Sequence, residues 1–305
     1  HLLTGCEEEP MIELEKLNEF TESHGALRTG KGLVSGVIAL TLAILCFLGV
    51  LAFLAPISGG LLVGWLGWRS TMLAQAFMGG LAWLLVMLRF RESLPQRTPE
   101  ARQAGNLRRT WSRIVRNPMF QAYNLLTCFS YAGLFTNLAA SAFTYINVLH
   151  MERTHFGLML GGNALCYIAG TFACRRLLRS MSVQRTVAVA GVLSLTAGSI
   201  MGLAALFDLR SIWAYALPFC LYQIAHGIHM PCGQSNAIAP FPQAAGTASA
   251  INGLVMMLMA FAMGHWLGLN LDADSTMPLA FGIWFWSACT AITAWTLVQR
   301  FGSSD

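Results

Sequence analysis

Long stretches without any charged side chain dominate this sequence of 305 residues. Only 11% of the residues are Asp, Glu, Lys or Arg, whereas an ordinary soluble domain carries roughly 25%. A helix needs about 20 apolar residues to cross a bilayer, so each of these stretches is long enough to hold a membrane span. A soluble core of buried helices is disfavoured, because stretches of this length leave no polar face for water. The charge-free windows cover residues 32–68, 70–88, 117–151, 154–174, 186–207, 211–271 and 275–299.

The longest window has room for two spans and contains a break between them. Residues 239–243 read Ala-Pro-Phe-Pro-Gln, and Gly246 follows. Two prolines and a glycine end one helix and turn the chain before the next. The sequence therefore predicts an all-α membrane protein with eight spans. We place these spans at residues 36–62, 70–88, 119–149, 156–174, 186–207, 212–237, 246–269 and 277–298.

The distribution of positive charge predicts how the spans are oriented. Loops rich in Lys and Arg tend to stay in the cytoplasm. If the spans alternate in direction, only Arg69, Arg153 and Arg210 of the 19 Lys and Arg residues fall on one side. The opposite side, which holds both ends of the chain, is therefore predicted to be cytoplasmic. This asymmetry also accounts for the net charge of +5, so no nucleic-acid partner is predicted.

An arginine-rich polar segment divides the spans into two and six. Residues 91–117 form a predicted cytoplasmic linker between two helices in residues 35–90 and six helices in residues 118–305. Twelve-helix transporters are often built from two six-helix halves joined by a long cytoplasmic loop. On that plan we expect four further helices before the first span, in agreement with a first residue that is not Met. Residues 1–34 are interpreted as a tail outside the membrane.

The first span carries glycine and proline in a recognisable order. Residues 49–60 read Gly-Val-Leu-Ala-Phe-Leu-Ala-Pro-Ile-Ser-Gly-Gly and resemble the antiporter motif of the fifth helix in major facilitator superfamily drug exporters. The core of that motif is Gly-Pro-x-x-Gly-Gly, which Pro56, Gly59 and Gly60 match, while Ala55 replaces its first glycine. Small residues spaced in this way let another helix approach closely in lipid, so generic helix packing is the open alternative.

A second string extends this resemblance to the later spans. Residues 239–250 read Ala-Pro-Phe-Pro-Gln-Ala-Ala-Gly-Thr-Ala-Ser-Ala and resemble the tenth and eleventh helices of the bicyclomycin-resistance branch. The resemblance covers about residues 39–301. It implies a monomeric helical bundle of the major facilitator type, in the bacterial cytoplasmic membrane, that exports small molecules in exchange for protons. In that family the carboxylates credited with proton coupling lie in the first helix. No predicted span here contains Asp or Glu, so the resemblance implies that these carboxylates lie in the helices expected before the first span.

Three of the predicted spans each carry a stripe of polar and aromatic side chains. Polar groups in a span avoid lipid and face the bundle interior or a wet cavity, so these stripes are predicted to line a substrate cavity. Hydrogen bonds between helices are the alternative for the amides and hydroxyls, and core packing for the aromatics and Met. The predicted cavity residues are Asn124, Thr127, Tyr131, Ser141 and Tyr145 in the third span, Tyr222, His226 and His229 in the sixth, and Asn252 and Met256 in the seventh.

Two histidines of the sixth span raise the question of a metal or catalytic site. His226 and His229 share a helix face, but no carboxylate accompanies them and Pro231 distorts the helix where a third ligand would sit. We predict no metal and no cofactor. Interior hydrogen bonding and a titratable role in proton or substrate handling both stay open, since free His has a pKa of about 6.5.

The function hypotheses that remain differ in class. A secondary transporter, which binds its substrate between two helical halves and exchanges it for protons, is the leading one. A remnant that folds but does not transport is the alternative. A membrane enzyme is disfavoured, because neither a G-x-S-x-G nor an H-E-x-x-H motif occurs in the sequence.

Overall fold

The computed structural model describes residues 58–59, 62–89, 104–271 and 274–302, and all regular secondary structure in these ranges is helical. The prediction of an all-α protein is therefore confirmed. In chain order the helices are α1 (Arg69–Arg89), α2 (Ala104–Val115), α3 (Pro118–Ala142), α4 (Arg153–Leu177), α5 (Val183–Leu206), α6 (Ile212–Ile238), α7 (Ala245–Asn270), α8 (Met277–Trp295) and α9 (Leu297–Phe301).

The described helices agree with the predicted spans. A π-helical turn, Phe143–Val148, extends α3, and a 3-10 turn, Pro242–Ala244, leads into α7. Seven of the eight predicted spans coincide with these helices to within three residues at either end. The span predicted at residues 36–62 lies outside the described residues, except for part of its last turn.

Six helical stretches of the described residues are long and apolar enough to cross a membrane. Helix α6 has 27 residues and is not one of these six, and it contains the polar side chains Gln223, His226 and His229. These polar side chains are buried against neighbouring helices, so they do not meet lipid. The six stretches are Arg69–Leu88, Pro118–Val148, Arg153–Leu177, Val183–Leu206, Pro242–Asn270 and Met277–Phe301.

The helix ends lie where the sequence predicts turns. The Oδ1 atom of Asn117 accepts a hydrogen bond from the backbone N–H of Phe120 at 2.9 Å, and Pro118 occupies the first turn of α3, where no N–H donor is needed. Residues 239–244 separate α6 from α7, so the predicted break in the longest charge-free window is confirmed.

The segment predicted as a polar linker contains the short helix α2. Leu107, Trp111 and Ile114 recur along it at helical spacing. Ile114 is fully buried in the same apolar cluster as Phe120 and Tyr123 of α3. This buried side chain attaches α2 to the membrane-spanning bundle, and the amphipathic spacing of the three apolar residues marks a helix within the predicted linker.

Helices α3 and α6 organise the bundle of α3 to α8. Helix α3 packs against α6, α7 and α8, whereas α6 packs against α3, α4 and α5, and α5 also packs along α8. One apolar cluster, around Tyr123 and Phe241, fills the end of the bundle where α3 begins, and a second, around Tyr145 and Tyr215, fills the opposite end.

Two glycines make the contact between α4 and α6 unusually close. A Cβ atom added at Gly170 would collide with the carbonyl oxygen of Ile224, and one added at Gly227 would collide with the carbonyl oxygen of Tyr167. Backbone lies on both sides of this contact, so no side-chain rotation can relieve the collision. Small residues let helices approach in this way where lipid offers no hydrophobic driving force.

The two ends of the α3–α8 bundle differ in charge. The end where α3 begins carries many arginines and, among the described residues, no carboxylate. The opposite end carries Glu152, Asp208 and Asp274 together with Arg153 and Arg210. The arginines of the first end are Arg108, Arg109, Arg113, Arg116, Arg175, Arg176, Arg179, Arg185 and Arg300.

Candidate substrate-binding site

The contact between α3 and α6 contains a chain of three polar residues. The Tyr222 hydroxyl donates a hydrogen bond to the backbone carbonyl of Ser130 at 2.7 Å, and Ser130 Oγ lies 2.8 Å from His226 Nδ1. Gly133 makes room for this arrangement, because a Cβ there would collide with the Tyr222 hydroxyl. Two residues of the predicted sixth-span stripe are thus hydrogen bonded to the third span.

Aromatic rings surround the His226 imidazole. The Tyr222 ring stacks on it with centroids 6.4 Å apart and planes 12° apart, and Phe219 stacks in turn on Tyr222 at 5.6 Å. From α4, the Tyr167 ring approaches the imidazole to 5.6 Å. Such rings favour a flat or cationic group over their faces. His226 is only 3% exposed, so this group is closed in the described conformation.

His229 lies one turn further along α6 and is buried without a hydrogen bond like the one between His226 and Ser130. Its side chain is fully inaccessible, and neither ring nitrogen makes a hydrogen bond of acceptable geometry to any described residue. The backbone of Val187 in α5 lies beside the ring. A buried polar group without a partner is costly, and in membrane spans such groups mark functional sites more often than structural ones.

A second polar contact joins α3 to α7. Thr127 Oγ1 donates to the backbone carbonyl of Asn124 at 2.8 Å, and Asn252 Nδ2 donates to Thr127 Oγ1 at 3.3 Å. Gly233 of α6 faces the same threonine, since a Cβ at that glycine would collide with the Thr127 methyl group. Residues of the third-span and seventh-span stripes therefore meet around Thr127, beside Gly233 of α6.

The remaining predicted cavity residues lie apart from these contacts. Ser141 is buried in α3, and Tyr145 is buried with its ring 6.2 Å from that of Phe156 and its hydroxyl unpaired among the described residues. Tyr131 and Met256 are half-buried. In the described conformation Asn124, Thr127 and Asn252 lie together, and Tyr222 stacks on His226.

An open cavity of about 470 Å³ lies between α7 and α8. Its walls are almost entirely apolar, and Trp286 Nε1 donates to Met263 Sδ at 3.2 Å within them. Sequence reasoning did not single out this cavity, because aromatic and Met side chains on a span look the same whether they face a pocket or lipid. Its lining residues are Ala262, Met263, Trp266, Phe281, Gly282, Phe285 and Trp286.

Two residues that contact His226, namely Ser130 and Tyr167, are not among the predicted cavity residues. Ser130 lies within about 20° of Ser141 on a helical wheel of 100° per residue, so a slightly wider stripe includes it. Tyr167 is an isolated polar aromatic in α4, and no sequence pattern marks it. No cluster of three or more His, Cys, Asp or Glu residues able to hold a metal ion occurs in the described ranges.

Most of the predicted antiporter motif cannot be placed. Ala55, Pro56 and Gly60 lie outside the described residues. Gly59 is half-buried, and a Cβ added there would meet no described atom within 4 Å. The close helix approach that the motif suggests therefore stays a prediction.

Comparison with known proteins gives a consistent set of relatives. The model of the Major Facilitator Superfamily matches residues 32–264. A bicyclomycin resistance protein homolog of Haemophilus influenzae is 23% identical over 239 residues, which are 78% of this chain and 59% of the relative. The multidrug resistance protein MdtL of Vibrio parahaemolyticus is 25% identical over 228 residues, 72% of this chain and 54% of the relative.

A third relative is the multidrug resistance protein D of Escherichia coli. It is 25% identical over 200 residues, which are 66% of this chain and 49% of that protein. The chain thus spans about half the length of these relatives, or slightly more. All three relatives carry names that refer to drug resistance, and none is named as an enzyme.

Proposed function

Because the chain belongs to the Major Facilitator Superfamily, a family of membrane transporters and not of enzymes, we propose that it is part of a multidrug exporter driven by protons. The drug-resistance names of its relatives support export as the direction of transport. We place the protein in the bacterial cytoplasmic membrane as a monomer, with residues 118–305 as one helical half and residues 91–117 as the cytoplasmic connection to the other.

The observation that carries this proposal is the group formed by Ser130, Tyr167, Tyr222 and His226 inside the bundle. Its aromatic faces suit flat, partly apolar compounds, while the serine, tyrosine and histidine offer hydrogen bonds. We propose that rocking of the helical halves separates α3 from its neighbours and opens this group to substrate. Transporters of this kind bind their substrate near the midplane, between the halves.

Proton exchange requires a titratable group within the membrane. The described spans contain no Asp or Glu, so their two buried histidines, His226 and His229, are the candidates. Both lie on α6, and His226 is itself a member of the proposed substrate group. We propose that these histidines exchange protons with substrate or with carboxylates elsewhere in the transporter.

Transport is tested in everted membrane vesicles from a drug-sensitive bacterial strain that produces the exporter of which this chain is proposed to be part. We expect an imposed proton gradient to drive uptake of a fluorescent cationic drug, and a protonophore to abolish it. The double variant His226→Gln, His229→Gln is expected to lose at least about 90% of this uptake, because Gln can hydrogen bond but does not titrate.

The matched control is His265→Gln, which makes the same change at an exposed position of α7. It is expected to transport normally. Absence of uptake in the wild-type vesicles, despite normal insertion, contradicts the transporter proposal and favours a remnant that folds without transporting. Normal uptake in the double variant leaves transport intact but removes the histidines from the mechanism.

The orientation proposed for the bundle has its own test. Ser180 lies in the exposed turn between α4 and α5 at the arginine-rich end, and Ser211 is exposed at the opposite end. In an otherwise cysteine-free protein, an impermeant maleimide added to intact spheroplasts is expected to label Ser211→Cys at once and Ser180→Cys only after permeabilisation. The reverse pattern means that the arginine-rich end is external.

A further inference from the structure

Helix α2 has two unlike faces. Leu107, Trp111 and Val115 form an apolar face that is 40% to 50% exposed, next to the fully buried anchor Ile114. The opposite face carries arginines. A helix with Trp and Leu on one face and basic residues on the other favours the boundary between water and lipid.

The basic face of α2 surrounds an open depression. Arg108, Arg109, Ser112, Arg113 and Arg116 line this space, which measures about 450 Å³. Arg presents a planar fork of N–H donors that binds phosphate oxygens in pairs, so several of them around one depression form a site for a phosphate group. We name these five residues the α2 arginine site.

The α2 arginine site has no anionic partner in the described part of the protein. The two described ion pairs, Glu152 with His155 and Asp208 with Arg210, lie at the opposite end of the bundle. Glu152, Asp208 and Asp274 are also the only carboxylates in the described ranges, and all three occupy that end. Like charges that lie this close repel one another, so an anion bound among these arginines would stabilise them.

The position of α2 relative to the spans indicates where that anion comes from. The helix ends at Val115, and α3 enters its membrane span at Pro118, so α2 lies at the depth of the lipid headgroups. The exposed Trp111 ring suits this boundary. Other arginines, including Arg175 and Arg179, share the same end of the bundle.

We propose that α2 lies along the membrane surface and binds the phosphate headgroups of anionic phospholipids through the α2 arginine site, with its apolar face inserted among the acyl chains. Lipid binding gives a role to four arginines that lie together at an end of the bundle where the described residues include no carboxylate. It does not depend on which substrate the protein transports.

The test counts lipids bound to the purified full chain in mild detergent, by native mass spectrometry. We expect phosphatidylglycerol to bind at least about ten-fold more tightly than phosphatidylcholine, since each arginine near an anionic surface contributes roughly a factor of five. Replacing Arg108, Arg109, Arg113 and Arg116 together with Gln is expected to weaken phosphatidylglycerol binding about ten-fold or more. Replacing the same four with Lys, which keeps the charge but not the paired N–H donors, is expected to retain only part of it.

The matched control changes four other arginines at the same end, Arg175, Arg179, Arg185 and Arg176, to Gln. It alters net charge equally and is expected to reduce phosphatidylglycerol binding by less than about two-fold. Equal losses in the two quadruple variants contradict a site on α2 and indicate a diffuse charge effect. Equal binding of the two lipids by the wild-type protein overturns the proposal without any variant.

Discussion

Replacing Gly227 with Ala is expected to lower the midpoint temperature of thermal unfolding by several degrees. The added Cβ would collide with the Tyr167 carbonyl oxygen and would lie 3.0 Å from both the Gly170 Cα and the Thr171 backbone nitrogen. Because these are backbone atoms of α4, the whole helix must move away from α6. Overpacking of this kind costs typically about 1 to 3 kcal/mol of the free energy of unfolding. The midpoint is measured by tryptophan fluorescence in detergent.

Gly162→Ala is the control for this experiment. It makes the same chemical change within α4, but a Cβ at position 162 meets nothing within 4 Å among the described residues. Since Ala has a higher helix propensity than Gly, this variant is expected to be as stable as the wild-type protein or slightly more so. If Gly227→Ala proves as stable as Gly162→Ala, α4 and α6 do not cross as closely as described.

The two histidines of α6 are expected to respond in opposite ways to the same substitution. His226→Leu removes the hydrogen bond to Ser130 and the ring contacts with Tyr167 and Tyr222, so it should destabilise the protein by about 1 to 3 kcal/mol. His229→Leu replaces a buried imidazole that lacks hydrogen-bond partners among the described residues with an apolar side chain. It should stabilise the protein by a similar amount.

The measurement is again the unfolding midpoint of each single variant in the same detergent. His226→Gln, which can keep a hydrogen bond to Ser130, is expected to lie between the wild-type protein and His226→Leu. Loss of stability in His229→Leu comparable to that in His226→Leu would falsify the unpaired environment of His229. A more stable His229→Leu variant that also loses gradient-driven uptake indicates that this histidine is retained for function at a cost in stability.

Span positions are the part of the fold that the sequence predicts well. In lipid every backbone N–H and C=O must be paired within its own helix, so any long charge-free stretch must be helical whatever its neighbours are. The break at residues 239–243 also follows from local chemistry, because Pro240 and Pro242 lie two residues apart and both lack the N–H donor of a helical turn. A single proline is not enough, since α6 continues through Pro218 and Pro231. The sequence also contains the signal for α2, because Leu107, Trp111 and Ile114 recur at helical spacing between its arginines.

The residues of the candidate site are predicted less completely than the positions of the spans. A helical wheel indicates which side chains share a face, and it correctly groups Tyr222 with His226 and Asn124 with Thr127. It does not say which face of another helix lies opposite. For that reason Tyr167 was absent from the prediction, and the substrate-binding role of every predicted cavity residue stays a prediction.

The sequence by itself determined the all-helical class, the span boundaries of the described helices and the charge asymmetry between the two ends. Each of these depends on local composition and on the requirement to pair backbone groups in lipid. Only the tertiary structure decided that His226 has Ser130 and two tyrosines around it while His229 has no described hydrogen-bond partner. The two histidines differ by three positions along one helix, so their sequence context is nearly the same. Their surroundings differ because α3 and α4 pack against one side of α6 and α5 against another, and such contacts between distant segments are set by the whole bundle.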